Sequence, residues 1–122
     1  MKKLMTKHFS KWASKRNIAN KDLAKALHEV GMGNYEADLG GCLYKKRIRF
    51  QGQGKSGSGR TIICCDKEDR AFLVYGFAKN EKSNLTPKEL IAFKELAKLL
   101  LGLSSERLKI AIENGDIIEV KS

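Results

Sequence analysis

With 122 residues, 42% of them apolar and 31% charged, the chain has room for one domain with a modest core, taken as residues 1–122, and a single proline with no long polar tract argues against extended disorder. No stretch approaches the roughly 18 consecutive apolar residues of a membrane span, and the basic start leads into no signal-peptide run, so a cytoplasmic protein without membrane contact is expected. The net charge of +10 is concentrated: residues 1–42 carry eight Lys or Arg against four acids, residues 43–60 six against none, and residues 61–122 ten of each. A basic block of this kind suits a polyanion, nucleic acid before membrane, because no amphipathic helix with a basic face surrounds it.

In chain order, Phe9, Trp12, Ala13 and Arg16 have helical spacing, and Asn17 to Asn20 reads as a break with Asn20 as N-cap of a second helix. That helix places Leu23, Ala26, Leu27 and Val30 on one side and ends at Gly31, so residues 7–30 form a helical hairpin. Gly31 to Gly41 is a glycine-rich connection. Leu43 to Phe50 is a strand, with Tyr44, Lys46, Ile48 and Phe50 opposed to Lys45, Arg47 and Arg49. Gly52 to Gly59 is a turn, Arg60 to Cys65 a β-branched strand and Ala71 to Ala78 a central strand, giving a three-stranded antiparallel meander. Thr86-Pro87-Lys88-Glu89 is a capping box that opens a helix with an apolar stripe from Leu90 to Leu101. Ser104 caps a last helix, Gly115 ends it, and Ile117 to Val120 is an extended tail. The order α-α-β-β-β-α-α makes an α+β fold.

Two chemistries can be weighed on these residues first. Cys42, Cys64 and Cys65 with His8 and His28 make no zinc constellation, and the cysteines read as buried apolar side chains in strands. No metal and no cofactor is expected. Gly54-Lys55-Ser56 ends like a nucleotide-binding Walker loop, but the first glycine of that motif would fall on Arg49, and a strand rather than a helix follows. The glycines are better explained as freedom that lets Lys55 and Arg60 approach a bulky anion.

Taken together, "LGGCLYKKRIRFQGQGKSGSGRTII" and "DRAFLVYGFAKNEKSNLTPKEL" resemble the RelE/HigB branch of the RelE/ParE toxins of type II toxin–antitoxin systems. The resemblance runs from about Phe9 to Val120 and is strongest over Gly40–Leu101. It implies helices packed on a small, curved antiparallel sheet with the site in a basic concavity. It further implies a ribosome-dependent mRNA endonuclease acting in the ribosomal A site, with a helix-turn-helix antitoxin as the silencing partner.

RNA supplies its own nucleophile, since the 2′-OH can attack the adjacent phosphorus and expel the 5′-oxygen without a metal. The protein must then align that hydroxyl, accept its proton, stabilise the phosphorane and protonate the leaving group. His8 and His28 both lie on the N-terminal helices, which leaves lysines and arginines. Arg47 and Arg49 match family positions on the active-site strand, and Arg60 matches the arginine that opens the next strand. Arg49 and Arg60 are assigned to the scissile phosphate with Arg47 in support, because arginine grips two phosphate oxygens and stays charged. Lys55 and Lys79 are assigned to proton transfer or charge neutralisation, and Lys45, Lys46, Asn80 and Lys82 to RNA binding. Asn80 stands where RelE-like chains carry a second arginine, and Thr86 replaces their C-terminal tyrosine. The alternatives are a ParE-like gyrase poison and a noncatalytic nucleic-acid-binding co-regulator.

Overall fold

The computed structural model describes residues 1–50, 58–67 and 69–121. Ten elements follow one another: β1 (Lys2–Thr6), α1 (Lys7–Lys15), α2 (Asn20–Gly31), β2 (Ala37–Gly40), β3 (Leu43–Arg49), β4 (Ser58–Asp66), β5 (Arg70–Ala78), α3 (Pro87–Leu101), α4 (Ser105–Glu113) and β6 (Ile117–Glu119). The α+β class, the N-terminal helical hairpin and the C-terminal helix pair are as the sequence implies. The sheet is larger and differently paired. It has six strands in the order β2-β3-β4-β5-β1-β6. The β3-β4-β5 meander is antiparallel, but β1 lies parallel to β5, so the sheet is mixed rather than antiparallel throughout.

Two strands have no expectation behind them, and each has a physical reason for being illegible. β1 runs between β5 and β6 with Leu4 in the core under α3 and α4 and Met5 in the core under α1 and α2. A strand buried on both faces loses the alternation by which a strand is recognised. β2 is four residues long and sits within the glycine-rich connection. It turns into β3 through Gly40, Gly41 and Cys42, all at positive φ (85°, 61° and 64°), with Asp38 Oδ1 accepting from Gly40 N at 2.9 Å. The Ile117–Val120 tail is likewise a strand for most of its length, pairing antiparallel with β1.

Helix ends are decided by local chemistry. Thr6 closes β1 and at once caps α1, its Oγ1 accepting from Phe9 N at 3.2 Å. The cap position of α2 is Ala19, not Asn20, and carries no side-chain cap bond. Gly31 is the last helical residue rather than the stop, and Met32 follows as the C-cap. The Thr86–Glu89 capping box forms in both directions (3.1 and 2.8 Å), and Ser104 caps α4.

The two helical pairs cover opposite faces. Phe9, Ala13, Leu23, Leu27 and Val30 pack on Tyr44, Ile48, Ile63 and Leu73, while Ala97, Leu100 and Leu108 pack with Leu43, Ile62, Phe72 and Phe77. Central β4 is therefore buried on both sides, and Ile62, Ile63, Cys64 and Cys65 are all closed to solvent. Cys42 departs from the expectation for cysteines, because it sits exposed at the positive-φ turn. Gly76 has a packing reason to be glycine: a Cβ there would drive into the Trp12 indole. Buried Arg70 ties β5 to the end of α3, its Nη1 donating to Leu100 O and Leu103 O at 3.2 and 2.9 Å.

Candidate nucleic-acid interface

Strand register gathers the cations. Arg47 pairs with Arg60 and Arg60 with Phe77, making one row across β3, β4 and β5. The next row holds Lys45, Ile62 and Tyr75. On the other side lies Arg49 with Ser58, whose carbonyl accepts from Lys79 N at 3.4 Å. Paired residues share a sheet face. Lys45, Arg47, Arg49 and Arg60 thus fall on one face, the one that α3 covers further along, and Lys79 closes its end. Arg47, Arg49 and Lys79 are exposed. Beyond Lys45 β2 no longer pairs with β3, so among the described residues no strand covers that edge at Arg47 and Arg49, which also border a shallow hollow with Asp22, Lys25 and Glu29 of α2.

Arg60 differs from its neighbours. It is only 8% exposed, and its Nε lies 2.6 Å from Glu36 Oε2. Glu36 stands immediately before β2, anchored by a backbone bond from its N–H to Lys45 O at 2.8 Å. A buried guanidinium without a partner would be costly, so the short β2 strand brings a carboxylate into a region whose own sequence has none.

The segment between β5 and α3 folds back over the same face. Lys82 Nζ sits 5.7 Å from the Tyr75 ring centroid and 5.9 Å from that of Phe77, and it hydrogen-bonds Glu89. The Tyr75 hydroxyl is 3.5 Å from the other oxygen of Glu89, and Asn84 Oδ1 accepts from Lys45 Nζ at 2.8 Å. The Glu89 bond is the first cause that holds Lys82 above the ordinary lysine range, and the same bond, before that from Thr86 N–H, holds Glu89 below the carboxylate range. Lys82 is thereby kept as an ammonium, suited to steadying charge rather than to moving a proton.

Other residues assigned from the sequence fall elsewhere. Lys46 is on the opposite face, tied to Glu29 at 3.5 Å and to Asn34 O at 3.2 Å. Asn80 is exposed in the turn after Lys79. Lys55, with the rest of the Gly52–Gly57 stretch, lies outside the described residues. Strand β4 begins at Ser58, so a strand and not a helix follows the Gly-Lys-Ser triplet. His8 is exposed at the start of α1, its ring nearly parallel to that of Tyr75 at 6.4 Å, and His28 is exposed on α2. Among the described residues no three His, Cys, Asp or Glu side chains gather as a metal site would need, and no helix is long and apolar enough to cross a membrane.

Three participants escape the sequence reading: Glu36, Asn84 and Glu89 as partner of Lys82; Arg16 packs instead with Trp12 and Phe50 of the opposite core. The Arg16 guanidinium lies 5.6 Å from the centroids of both Trp12 and Phe50 and pairs with Glu81 at 2.7 Å. One signal for Glu36 was available. Arg60 sits in a β-branched run that must be buried, and a buried arginine demands a carboxylate, although nothing in the sequence says which.

The family model described as the RelE toxin of the RelE/RelB toxin–antitoxin system matches residues 1–120. The chain belongs to the RelE toxin family. Neither curated proteins nor solved structures gave a match. Membership makes this RelE-family chain the toxin of a toxin–antitoxin system, with an antitoxin as its partner.

Proposed function

We propose that this RelE-family toxin is an mRNA endonuclease that works on the ribosome, in the A site, by 2′-OH attack without a metal. A cognate antitoxin, of the helix-turn-helix type, silences it in the cytoplasm. The observation that carries this reading is the face on which Lys45, Arg47, Arg49 and Arg60 share three adjacent rows closed by Lys79. Arg60 and Arg49 grip the scissile phosphate, Arg47 supports them, and Lys79 neutralises the developing charge. Lys45 and Lys82 border the same face and follow the RNA backbone, as Asn80 does from the turn. Lys55 belongs to the stretch that joins the two cationic strands. A phosphorane gains charge as it forms, so fixed cations at its oxygens lower its energy more than that of bound substrate.

The test is purified protein added to ribosomes programmed with a defined mRNA, with 5′ ends mapped for the wild type and Arg60→Ala. Cleavage within the A-site codon is expected, falling on the order of 10²- to 10³-fold in the variant, the range for removing one transition-state donor. Intact mRNA with arrested gyrase and broken DNA would replace this reading with a gyrase poison. Intact mRNA without toxicity would leave a binding module.

A further inference from the structure

A carboxylate in a phosphate-binding face works against the purpose of that face, because each negative charge weakens attraction for a polyanion. Residues 43–60 contain no Asp or Glu, yet the fold places Glu36 among them, 2.6 Å from Arg60 Nε. The pair sits at a boundary, with the Arg60 side chain 9% and the Glu36 side chain 33% exposed.

We propose that Glu36 is a positioning residue: its carboxylate holds the Nε edge of Arg60 so that the Nη edge of the guanidinium meets the scissile phosphate. The proposal rests on the endonuclease reading above.

An arginine presents five N–H donors in a rigid plane, so fixing one edge determines where the others point. Nε lies 2.6 Å from Glu36 Oε2, and among the described residues Nη1 makes a long contact with Gly59 O at 3.4 Å. The remaining N–H groups form the end of the fork, which matches two oxygens of a phosphate. Lysine could not serve in this way, because its single ammonium has no second edge. The arrangement also accounts for the burial of Arg60 beside exposed Arg47 and Arg49. A guanidinium held in one orientation loses little freedom on meeting the transition state, whereas an exposed one must be ordered at that moment.

The test compares single-turnover cleavage on mRNA-programmed ribosomes for the wild type, Glu36→Ala, Glu36→Gln, Arg60→Ala, Arg60→Lys and the Glu36→Ala/Arg60→Ala pair, with melting temperatures alongside. Glu36→Ala is expected to lower the cleavage rate about 10-fold or more while the apparent KM changes less than about twofold, the pattern of a contact made in the transition state. Glu36→Gln retains most of the rate, because its amide oxygen can occupy the same place 2.6 Å from Nε. In the Arg60→Ala background Glu36→Ala has no further effect. Undiminished cleavage by Glu36→Ala overturns the proposal, and so does faster cleavage, which would make the carboxylate a competitor of phosphate. Equal slowing in the Arg60→Ala background overturns it as well, since Glu36 would then act independently. If Glu36→Ala melts below the assay temperature, Arg60→Lys decides. A rate as low as that of Arg60→Ala supports the fork, and a wild-type rate refutes it. A wild type that cuts nothing removes the endonuclease reading and this inference with it.

Discussion

Lys82, Glu89 and Tyr75 show how little of a residue's role follows from its type. Lys82 reads in the sequence as one more cation for RNA, and Glu89 as half of a capping box. In the fold Glu89 does both jobs, accepting from Thr86 N at 2.8 Å and from Lys82 through the same oxygen. This sharing has a pH signature. Glu89 is held below its ordinary value of 4.5, so its contribution is complete above that value and is lost as pH falls through its lower folded value. Lys82 is held above 10.5, so its contribution is complete below that and is lost only as pH rises through the higher folded value. The first turn of α3 should therefore loosen below about pH 4.5, seen as faster amide exchange at Glu89 and Leu90. Glu89→Gln should lack that acid-dependent step.

The elements are held by a few specific contacts rather than by propensity. α1 docks on β5 where Gly76 leaves room for the Trp12 indole, and Arg16 extends that contact over Trp12 and Phe50. Gly76→Ala should cost about 1–3 kcal/mol, the usual range for overpacking, measured as a lower denaturant midpoint at an unchanged slope. At the other end of β5, Arg70 satisfies two carbonyls at the end of α3. Arg70→Met keeps the apolar stem and strands both acceptors, and should cost about 2–4 kcal/mol in the same assay, since each unmet buried acceptor costs about 1–3 kcal/mol. Capping residues at α3 and α4 were legible because their partners lie three residues away. The N-cap of α2 was misplaced because Ala19 offers no side chain by which to recognise it.

For the molecule as a whole, the charge asymmetry becomes a directional surface. Lys45, Arg47, Arg49 and Arg60 are spread across adjacent strands on one face, while Lys46 of the same run is turned away and paired with Glu29. If that face meets RNA, binding to programmed ribosomes should weaken steeply with salt. Replacing Arg47 and Arg49 together with alanine should flatten the slope of log K against log salt by about 1.4, from roughly 0.7 per single-strand phosphate contact. Lys46→Ala should leave the slope unchanged. An equal effect of both changes would mean that RNA does not distinguish the two faces.

Sequence alone determined the helices, the β3-β4-β5 meander, the capped start of α3 and the basic segment, because each is written in neighbours a few residues apart. It also carried the resemblance to the family whose model matches residues 1–120. Only the tertiary structure decided that residues 2–6 form an inner strand parallel to β5, since burial on both faces removes the alternation that would reveal it. Alternation along β3 already sets Lys46 opposite Lys45, Arg47 and Arg49; the structure alone paired Lys46 with Glu29 and brought Lys79 and Lys82 to the end of the other face. Glu36 belongs to this second class for the same reason. Its bond to Arg60 spans the β2–β3 hairpin and the pairing of β3 with β4, and contacts that distant in the chain leave no periodicity to read.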